Sequence, residues 1–331
     1  MTGLESSVML LIGGLVLLWW SGDRSVRYAV EITEVIGISS FTVGFIIISI
    51  ATGLPEITTA ILSSLEGVAG LSAGDILGSS LVNLSLVLGI TTVAAGKIAV
   101  DKKHESVLLK VLGVITLLSA AILVTSSLTA WHGAMLLLGY IVAVVIIKRG
   151  GMLEKMVKEE KSDAQKEMGK ETVLKGPYGT AIKLLGSLVV LLVGARLTVS
   201  SAINIGDLLG IPVESLGATV LAIGTGLPEL SLELNAVKRG EYSLAVGDIF
   251  GSTLVNLTLI LGLLSVISPT YVNTIPLAGT MIYLALVLVF LWYAMVRNHG
   301  LDSEHGVALI LIFIFYLIEE IGVVQVVYLL A

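Results

Sequence analysis

The sequence predicts an all-α integral membrane protein with ten transmembrane helices, arranged as two inverted five-helix repeats. Three observations carry this prediction: the chain is 56% hydrophobic, only 13% of its 331 residues are charged, and its two halves share a long repeat. Soluble domains carry about 25% charged residues, so the composition excludes an ordinary soluble domain. Because the sequence contains no cysteine, a disulfide framework and a thiolate metal site are excluded as well.

Ten apolar segments come close to the length of about 20 residues that a helix needs to cross the hydrocarbon. They fall at about residues 4–20, 38–65, 73–95, 107–126, 132–147, 181–200, 213–237, 243–267, 275–296 and 307–330. No basic stretch precedes the first segment, which favours a retained helix over a cleaved signal peptide.

Residues 148–176 lie between the fifth and sixth segments and contain eight Lys or Arg and six Asp or Glu residues. Such a composition is typical of a solvated connector. The predicted organisation is therefore a first five-helix half at 1–147, a charged cytoplasmic linker at 148–176 and a second five-helix half at 177–331. The repeated cores lie at about 38–96 and 211–267.

The distribution of basic residues predicts the orientation in a cell membrane, because cytoplasmic loops are enriched in Lys and Arg. If the linker is cytoplasmic and the helices alternate, the other turns rich in Lys and Arg also face the cytoplasm. Of the 19 Lys and Arg residues, only Arg196 then lies near the outer side. Both termini are predicted to lie outside.

The repeat has a constant offset of 173 residues and no gap. Matching stretches include Gly74-Asp75-Ile76 with Gly247-Asp248-Ile249, Gly78-Ser79 with Gly251-Ser252, and Leu81-Val82-Asn83-Leu84 with Leu254-Val255-Asn256-Leu257. An odd number of helices in each half places the second copy upside down relative to the first. Inverted repeats with interrupted helices are typical of transporters whose binding site lies near the bilayer midplane.

The stretch Thr52-Gly53-Leu54-Pro55-Glu56 recurs as Thr225-Gly226-Leu227-Pro228-Glu229, each time inside an apolar segment. A charged carboxylate near the bilayer centre costs ~2.5–3.5 kcal/mol on insertion scales, so it is rarely without a function. Each proline lacks an N–H and frees the carbonyl four residues earlier, on Ala51 and Gly224. No Lys or Arg lies at that depth. The pattern predicts an oxygen-rich cation site.

A second polar pattern accompanies each motif. Asp75, Ser79 and Asn83 are spaced to share one helix face, and Asp248, Ser252 and Asn256 repeat the spacing. We expect these faces to meet Thr52, Glu56, Thr225 and Glu229. For Asp75 and Asp248, helix N-capping is an equal alternative. Glu233, whose repeat counterpart is Ala60, lies either on a cytoplasmic access path or at a solvated helix end. Ca²⁺ takes 6–8 oxygen ligands, and Na⁺ accepts the same atoms.

These motifs resemble the alpha repeats of the sodium/calcium exchangers of the cation/calcium antiporter superfamily, over about residues 11–96 and 184–267. The resemblance implies an antiporter that exchanges Ca²⁺ for Na⁺ by alternating access, with Glu56 and Glu229 as central Ca²⁺ ligands. It further implies that Thr52 and Thr225 contribute carbonyls. Neighbouring sites for Na⁺ or water would be lined by Ser79, Asn83, Ser252 and Asn256.

Two departures from the family pattern leave the counter-ion open. Gly53 and Gly226 stand where sodium exchangers usually have Ser, and Asp75 and Asp248 stand where Asn is usual. Fewer hydroxyl ligands favour H⁺ as the rival of Na⁺.

Composition and motifs also rank the other function classes. A passive cation channel is the least favoured transport alternative. The sequence has neither a His-Glu-x-x-His pair nor a Walker A motif, so neither a metalloenzyme nor an ATP-driven pump is expected. We expect no enzyme activity, no cofactor, no nucleic-acid binding and no protein partner; the expected partners are the transported ions and the lipid bilayer.

Overall fold

The computed structural model of the chain describes residues 3–35, 53–99, 102–123, 127–150, 177–238, 242–268 and 276–330. The linker at 148–176 lies almost entirely outside these residues, and residues 36–52, which precede Gly53, lie entirely outside them. In the first half, α1 spans Gly3–Val35, α2 spans Leu54–Leu65, α4 spans Lys102–Leu123 and α5 spans Ala130–Gly150. Helix α3 runs as Ala69–Val82, continues through a π-helical segment at Asn83–Val87, and ends with Leu88–Ala95.

In the second half, α6 spans Pro177–Leu209, α8 spans Leu227–Lys238, α10 spans Ala278–Asn298 and α11 spans Ser303–Leu330. Helix α7 consists of Val213–Leu216, a π segment at Gly217–Leu221, and Ala222–Thr225. Helix α9 consists of Tyr242–Leu254, a π segment at Val255–Ile260, and Leu261–Ile267.

Seven helices are long and apolar enough to cross a membrane by length and composition, counted among the described residues only. They lie at Gly3–Ser25, Ala69–Ala95, Glu105–Ile122, Ala130–Ile147, Gly179–Leu209, Ala245–Ile267 and Ala278–Asn298. The helical membrane fold is thus confirmed.

A small β ribbon is a feature that the sequence did not predict. Strand β1 (Lys97–Ala99) pairs antiparallel with β2 (Gly300–Asp302), so that Lys97 lies opposite Asp302. Asp302 also accepts hydrogen bonds from the backbone N–H groups of Glu304 and His305, both at 3.1 Å, at the start of α11. The bond from His305 is the main reason why the pKa of Asp302 is lowered. The ribbon joins the turn after α3 to the turn between α10 and α11.

Helices α1 and α6 pack along each other. Both have 33 residues, or roughly 50 Å at 1.5 Å per residue, which exceeds the ~30 Å hydrocarbon core. Glycines allow their close approach, because a methyl group on Gly194 would lie 3.1 Å from the carbonyl oxygen of Gly14. Their apolar side chains on the opposite faces, such as Ile12 and Ile182, are exposed and would contact lipid.

The repeat extends from sequence to backbone conformation. Gly53 and Gly226, 173 residues apart, have the same backbone angles, φ −81° with ψ 7° and φ −81° with ψ −5°. The π segments of α3 and α9 begin at Asn83 and Val255, which lie 172 residues apart, one fewer than the repeat offset.

Two glycine pairs show how the halves interlock. A methyl group on Gly89 of α3 would lie 2.8 Å from the carbonyl oxygen of Gly306 on α11, and one on Gly133 of α5 would lie 2.7 Å from that of Gly262 on α9. Adding 173 converts Gly89 into Gly262 and Gly133 into Gly306. Helix α5 of the first half therefore packs on α9 of the second, and α11 of the second half packs on α3 of the first, a reciprocal pairing of the kind that a pseudo-two-fold relation produces.

Candidate functional site

A buried polar cluster joins α3 to α7 where α7 ends. The hydroxyl oxygen of Thr225 lies 3.2 Å from Asp75 Oδ1 and 3.0 Å from the hydroxyl oxygen of Ser79. The Ser79 hydroxyl also donates to Asp75 Oδ1 at 3.3 Å. All three residues are at most 4% exposed. Thus residues from both repeats meet, as the sequence pattern predicts.

Small residues bring these two helices together. A methyl group on Gly217 would lie 2.0 Å from the carbonyl oxygen of Leu71, and one on Gly74 would lie 2.1 Å from that of Glu214. Only glycine at these positions allows the backbones so close. Further along, Gly226 faces Val82, so the contacts advance in the same direction on both helices. Helices α3 and α7 therefore run parallel.

The N-capping interpretation of Asp75 and Asp248 is wrong. Helix α3 begins at Ala69 with Val68 at its N-cap, and α9 begins at Tyr242, so each aspartate is the seventh residue of its helix. Both carboxyl groups thus lie inside a helix, where a side chain cannot satisfy the first N–H groups.

Thr59 is a contact of Asp75 that the sequence reasoning missed. Its hydroxyl lies 3.4 Å from Asp75 Oδ2. The signal was present, because Thr59 follows Glu56 by three residues and so shares its face of α2.

The two glutamates lie at equivalent places, in the first turns of α2 and α8. Glu56 is 2% exposed and lies within electrostatic range of Glu229 and Asp75. Glu229, which is partly exposed, lies within range of Asp248 and Asp75. Among the described residues, Oε2 of Glu56 and Oε2 of Glu229 have no hydrogen-bond partner. A buried carboxylate oxygen in this position fits a cation ligand, because burying it unsatisfied is costly.

Asn83 faces the break between α7 and α8. It is 1% exposed, and its Oδ1 atom has no hydrogen-bond partner within the described part of the chain. This oxygen lies 3.8 Å from the position that a methyl group on Gly226 would occupy. That methyl group would also lie 2.9 Å from Val82 Cγ1, so glycine is what the packing accepts there.

The second-half face is arranged differently. The carboxyl group of Asp248 interacts with that of Glu233, which lies one turn after Glu229. Asn256 is 3% exposed, whereas Ser252 is partly exposed. Among the described residues, no hydrogen bond links Ser252 to Asp248 or Glu233. Thr52, like the carbonyl of Ala51, lies outside the described residues. Glu233 is fully buried, so its assignment to a solvated helix end is wrong.

The donor set is two glutamates supplemented by hydroxyl, amide and backbone oxygens. Within the described part of the chain, no three His, Asp or Glu side chains are close enough to bind one metal ion. The carbonyl of Gly224 lacks its usual helical donor, because Pro228 has no N–H. Mixed oxygen ligands of this kind suit hard cations.

Comparison with known proteins gives a consistent result over the whole chain. The family model described as sodium/calcium exchanger protein matches residues 6–148 and 180–321. The putative antiporter CaxA of Alkalimonas amylolytica is 30% identical over 325 residues, covering 95% of this chain and 98% of the relative. The inner membrane protein YrbG of Escherichia coli (strain K12) is 31% identical, covering 86% and 87%. The sodium/calcium exchanger MaX1 of Methanosarcina acetivorans is 26% identical, covering 94% and 97%.

The fold is also similar to solved structures. The sodium-calcium exchanger NCX_Mj, soaked with 2.5 mM Na⁺ and 10 mM Sr²⁺, matches with a TM-score of 0.61 and 24% identity, covering 95% of this chain and 98% of that one.

Proposed function

Because the chain belongs to the sodium/calcium exchanger protein family, we propose that it is a secondary active antiporter that exchanges Ca²⁺ for Na⁺ by alternating access. The observation that carries this proposal is the pair of acids, Glu56 and Glu229, that begin the two equivalent helices α2 and α8 without a basic partner among the described residues. The protein is a transporter rather than an enzyme.

In this proposal Glu56 and Glu229 bind the central Ca²⁺, and Thr225 contributes a backbone carbonyl, as Thr52 does in the first half. The remaining polar positions line the neighbouring sites that Na⁺ or water occupies: Ser79, Asn83, Asp75, Ser252, Asn256 and Asp248. The unpartnered oxygens of Glu56, Glu229 and Asn83 support this assignment.

Coupling follows from the same charges. Two carboxylates neutralise one Ca²⁺ or two Na⁺, so one site cannot satisfy both cargoes at once. An emptied site leaves two buried charges uncompensated, and moving helices past them is costly. The protein therefore changes its access only when the site is occupied.

We place the site in ten transmembrane helices built as two inverted repeats, with both termini outside and the linker in the cytoplasm. The reciprocal glycine pairs support the two-fold relation. The parallel course of α3 and α7 is what this topology requires, since both run from the outer to the inner side. The β ribbon supports it too, because it joins two turns assigned to the cytoplasmic side.

Ca²⁺/H⁺ exchange is the second candidate, and one observation favours it. The carboxyl group of Asp248 interacts with the buried carboxyl group of Glu233, and two like charges side by side within the protein are costly unless one of them binds a proton. The absence of hydroxyls at Gly53 and Gly226 points the same way.

The two candidates separate in one experiment on the full chain in proteoliposomes. Radioactive Ca²⁺ uptake is measured under an outward Na⁺ gradient with the pH clamped on both sides, then under a pH gradient without Na⁺. Uptake driven by Na⁺ alone supports the proposal, and uptake driven only by the pH gradient replaces it with the second candidate. Ca²⁺ flux indifferent to both gradients would indicate a channel.

A further inference from the structure

The hydroxyl of Tyr316 on α11 forms a hydrogen bond with the backbone of α7. It donates a hydrogen bond of 3.0 Å to the carbonyl oxygen of Ala218, in the π segment of α7. Tyr316 is 1% exposed and Ala218 is fully buried. Neither residue belongs to the cation site described above.

The π segment explains why the carbonyl of Ala218 accepts a bond from another helix. In an α-helix the N–H of Ala222 would donate to it, four residues back. Here that N–H is directed to the carbonyl oxygens of Gly217, five residues back, and Thr219. The carbonyl of Ala218 therefore loses its α-helical donor, and a buried carbonyl needs a hydrogen-bond partner. Tyr316 supplies a donor from another helix.

Two further contacts extend this connection. The hydroxyl of Thr280 on α10, which is fully buried, lies 3.1 Å from the Tyr316 hydroxyl oxygen. Since Tyr316 gives its only proton to Ala218, Thr280 must be the donor in that pair. One turn beyond Tyr316, Glu320 interacts with Ser215, three residues before Ala218. Helices α10 and α11 thus hold the beginning of α7.

The backbone of Ala218 also packs against α3, the helix that carries Asp75 and Ser79. A methyl group on Gly78 of α3 would lie 2.4 Å from the Ala218 carbonyl oxygen. Seven residues later, or roughly 10 Å along α7, Thr225 contacts Asp75 and Ser79. The contacts of Ala218 with Gly78 and Tyr316 therefore determine where Thr225 lies at the end of α7.

The two side-chain donors are not repeated at the equivalent positions of the first half. With the repeat offset of 173, Tyr316 corresponds to Ala143 and Thr280 to Val107, neither of which has a side-chain donor. The presence of a tyrosine at position 316 is therefore not inherited from the sequence pattern that the two halves share.

We propose that Tyr316 is a positioning residue for the cation site: its hydroxyl fixes the π segment of α7 and thereby keeps Thr225 against Asp75 and Ser79. This inference rests on the proposed function, which makes Thr225 part of the site. Loss of the donor frees α7 to move, so the binding-competent arrangement is less populated and the apparent cation affinity falls.

The test compares Tyr316→Phe with the native chain in proteoliposomes. Phenylalanine keeps the ring, and with it the contact to the Tyr283 ring at 5.6 Å. We expect the KM for Ca²⁺ to rise about tenfold while Vmax stays within about twofold, as expected for a loss of order one hydrogen bond. Thr280→Val, which removes the second donor, should raise KM in the same direction by less. Tyr283→Phe is the matched control and should leave KM unchanged.

A second measurement separates this inference from the proposed function. Hydrogen–deuterium exchange of peptides covering residues 213–225 should be faster in Tyr316→Phe than in the native chain, and unchanged in Tyr283→Phe. An unchanged KM, a fall in Vmax alone, an equal rise in both tyrosine variants, or unchanged exchange in α7 would each overturn the inference. If the native chain carries no Ca²⁺, the proposed function fails, and exchange in α7 still decides the role of Tyr316.

Discussion

Glu56 and Glu229 stand out among single residues because each carries a carboxylate oxygen that no described residue satisfies. Substitution by glutamine keeps the shape and removes the charge. Breaking a buried charge pair costs about 3–5 kcal/mol, which corresponds to a loss of at least about 100-fold in affinity. We therefore expect Glu56→Gln and Glu229→Gln each to abolish Ca²⁺ uptake by the reconstituted protein.

Glu66→Gln is the control for this prediction. Its side chain is 43% exposed and lies 4.0 Å from Arg196, an exposed pair of the kind that contributes little to stability. Uptake by this variant should match that of the native chain. Retention of half the native uptake by either Glu56→Gln or Glu229→Gln would be incompatible with a central role for that acid.

The sequence could identify most of these residues but not their surroundings. A buried acid beside a proline, and polar residues at helical spacing, are visible in one dimension, so the sequence predicts Glu56, Asp75 and Ser79 as site residues. That Asp75 lies inside a helix was not visible, because α3 extends to Ala69 through residues with no marked helix-start signal. The place of Thr225 against Asp75 depends on the close approach of two backbones, which is a tertiary property.

Among the elements, α3 packs so closely against α7 that its glycines leave little room for a side chain. Gly78→Ala would place a methyl group 2.4 Å from the carbonyl oxygen of Ala218, a backbone atom that cannot rotate away. Overpacking of this kind costs ~1–3 kcal/mol and forces the helices apart. We expect Gly78→Ala to lower the thermal unfolding temperature and to reduce Ca²⁺ uptake, because Thr225 moves away from Ser79.

Gly113→Ala on α4 is the matched control. Among the described residues, no atom outside its own stretch of helix lies within 4 Å of the added methyl group, and alanine favours the helix over glycine by about 1 kcal/mol. Its unfolding temperature should be unchanged or higher, with native uptake. Equal behaviour of the two variants would show that helix propensity, and not the contact of α3 with α7, governs these positions.

Elements were predicted from the sequence wherever their signal is local. Apolar length predicted the helices, and the Pro-Glu motif predicted the break at Gly226. The π segments were missed because a π turn leaves the apolar composition of the helix unchanged. The β ribbon was missed because Lys97 pairs with Asp302, far along the chain, and three-residue strands carry no pattern.

For the whole molecule, the reciprocal contacts of Gly89 with Gly306 and of Gly133 with Gly262 make the relation between the halves a property of packing as well as of sequence. Each half completes the surroundings of the other, since α3 packs against α11 and α9 packs against α5 at these glycines. In transporters built from inverted repeats, alternating access is largely a rigid-body movement of one repeat or bundle against the other.

The orientation of the chain can be tested directly, because the native sequence contains no cysteine. Ser162→Cys places a single thiol in the linker, and Ser127→Cys places one in the turn before α5. We expect a membrane-impermeant maleimide added to intact cells to label Ser127→Cys and not Ser162→Cys, and the pattern to reverse in inside-out vesicles. The physical reason is the retention of Lys and Arg on the cytoplasmic side, where eight of them lie in residues 148–176. The native chain, treated identically, sets the background. Labelling of both variants from the same side would contradict the crossing of the membrane by α5, and with it the count of five spans in the first half.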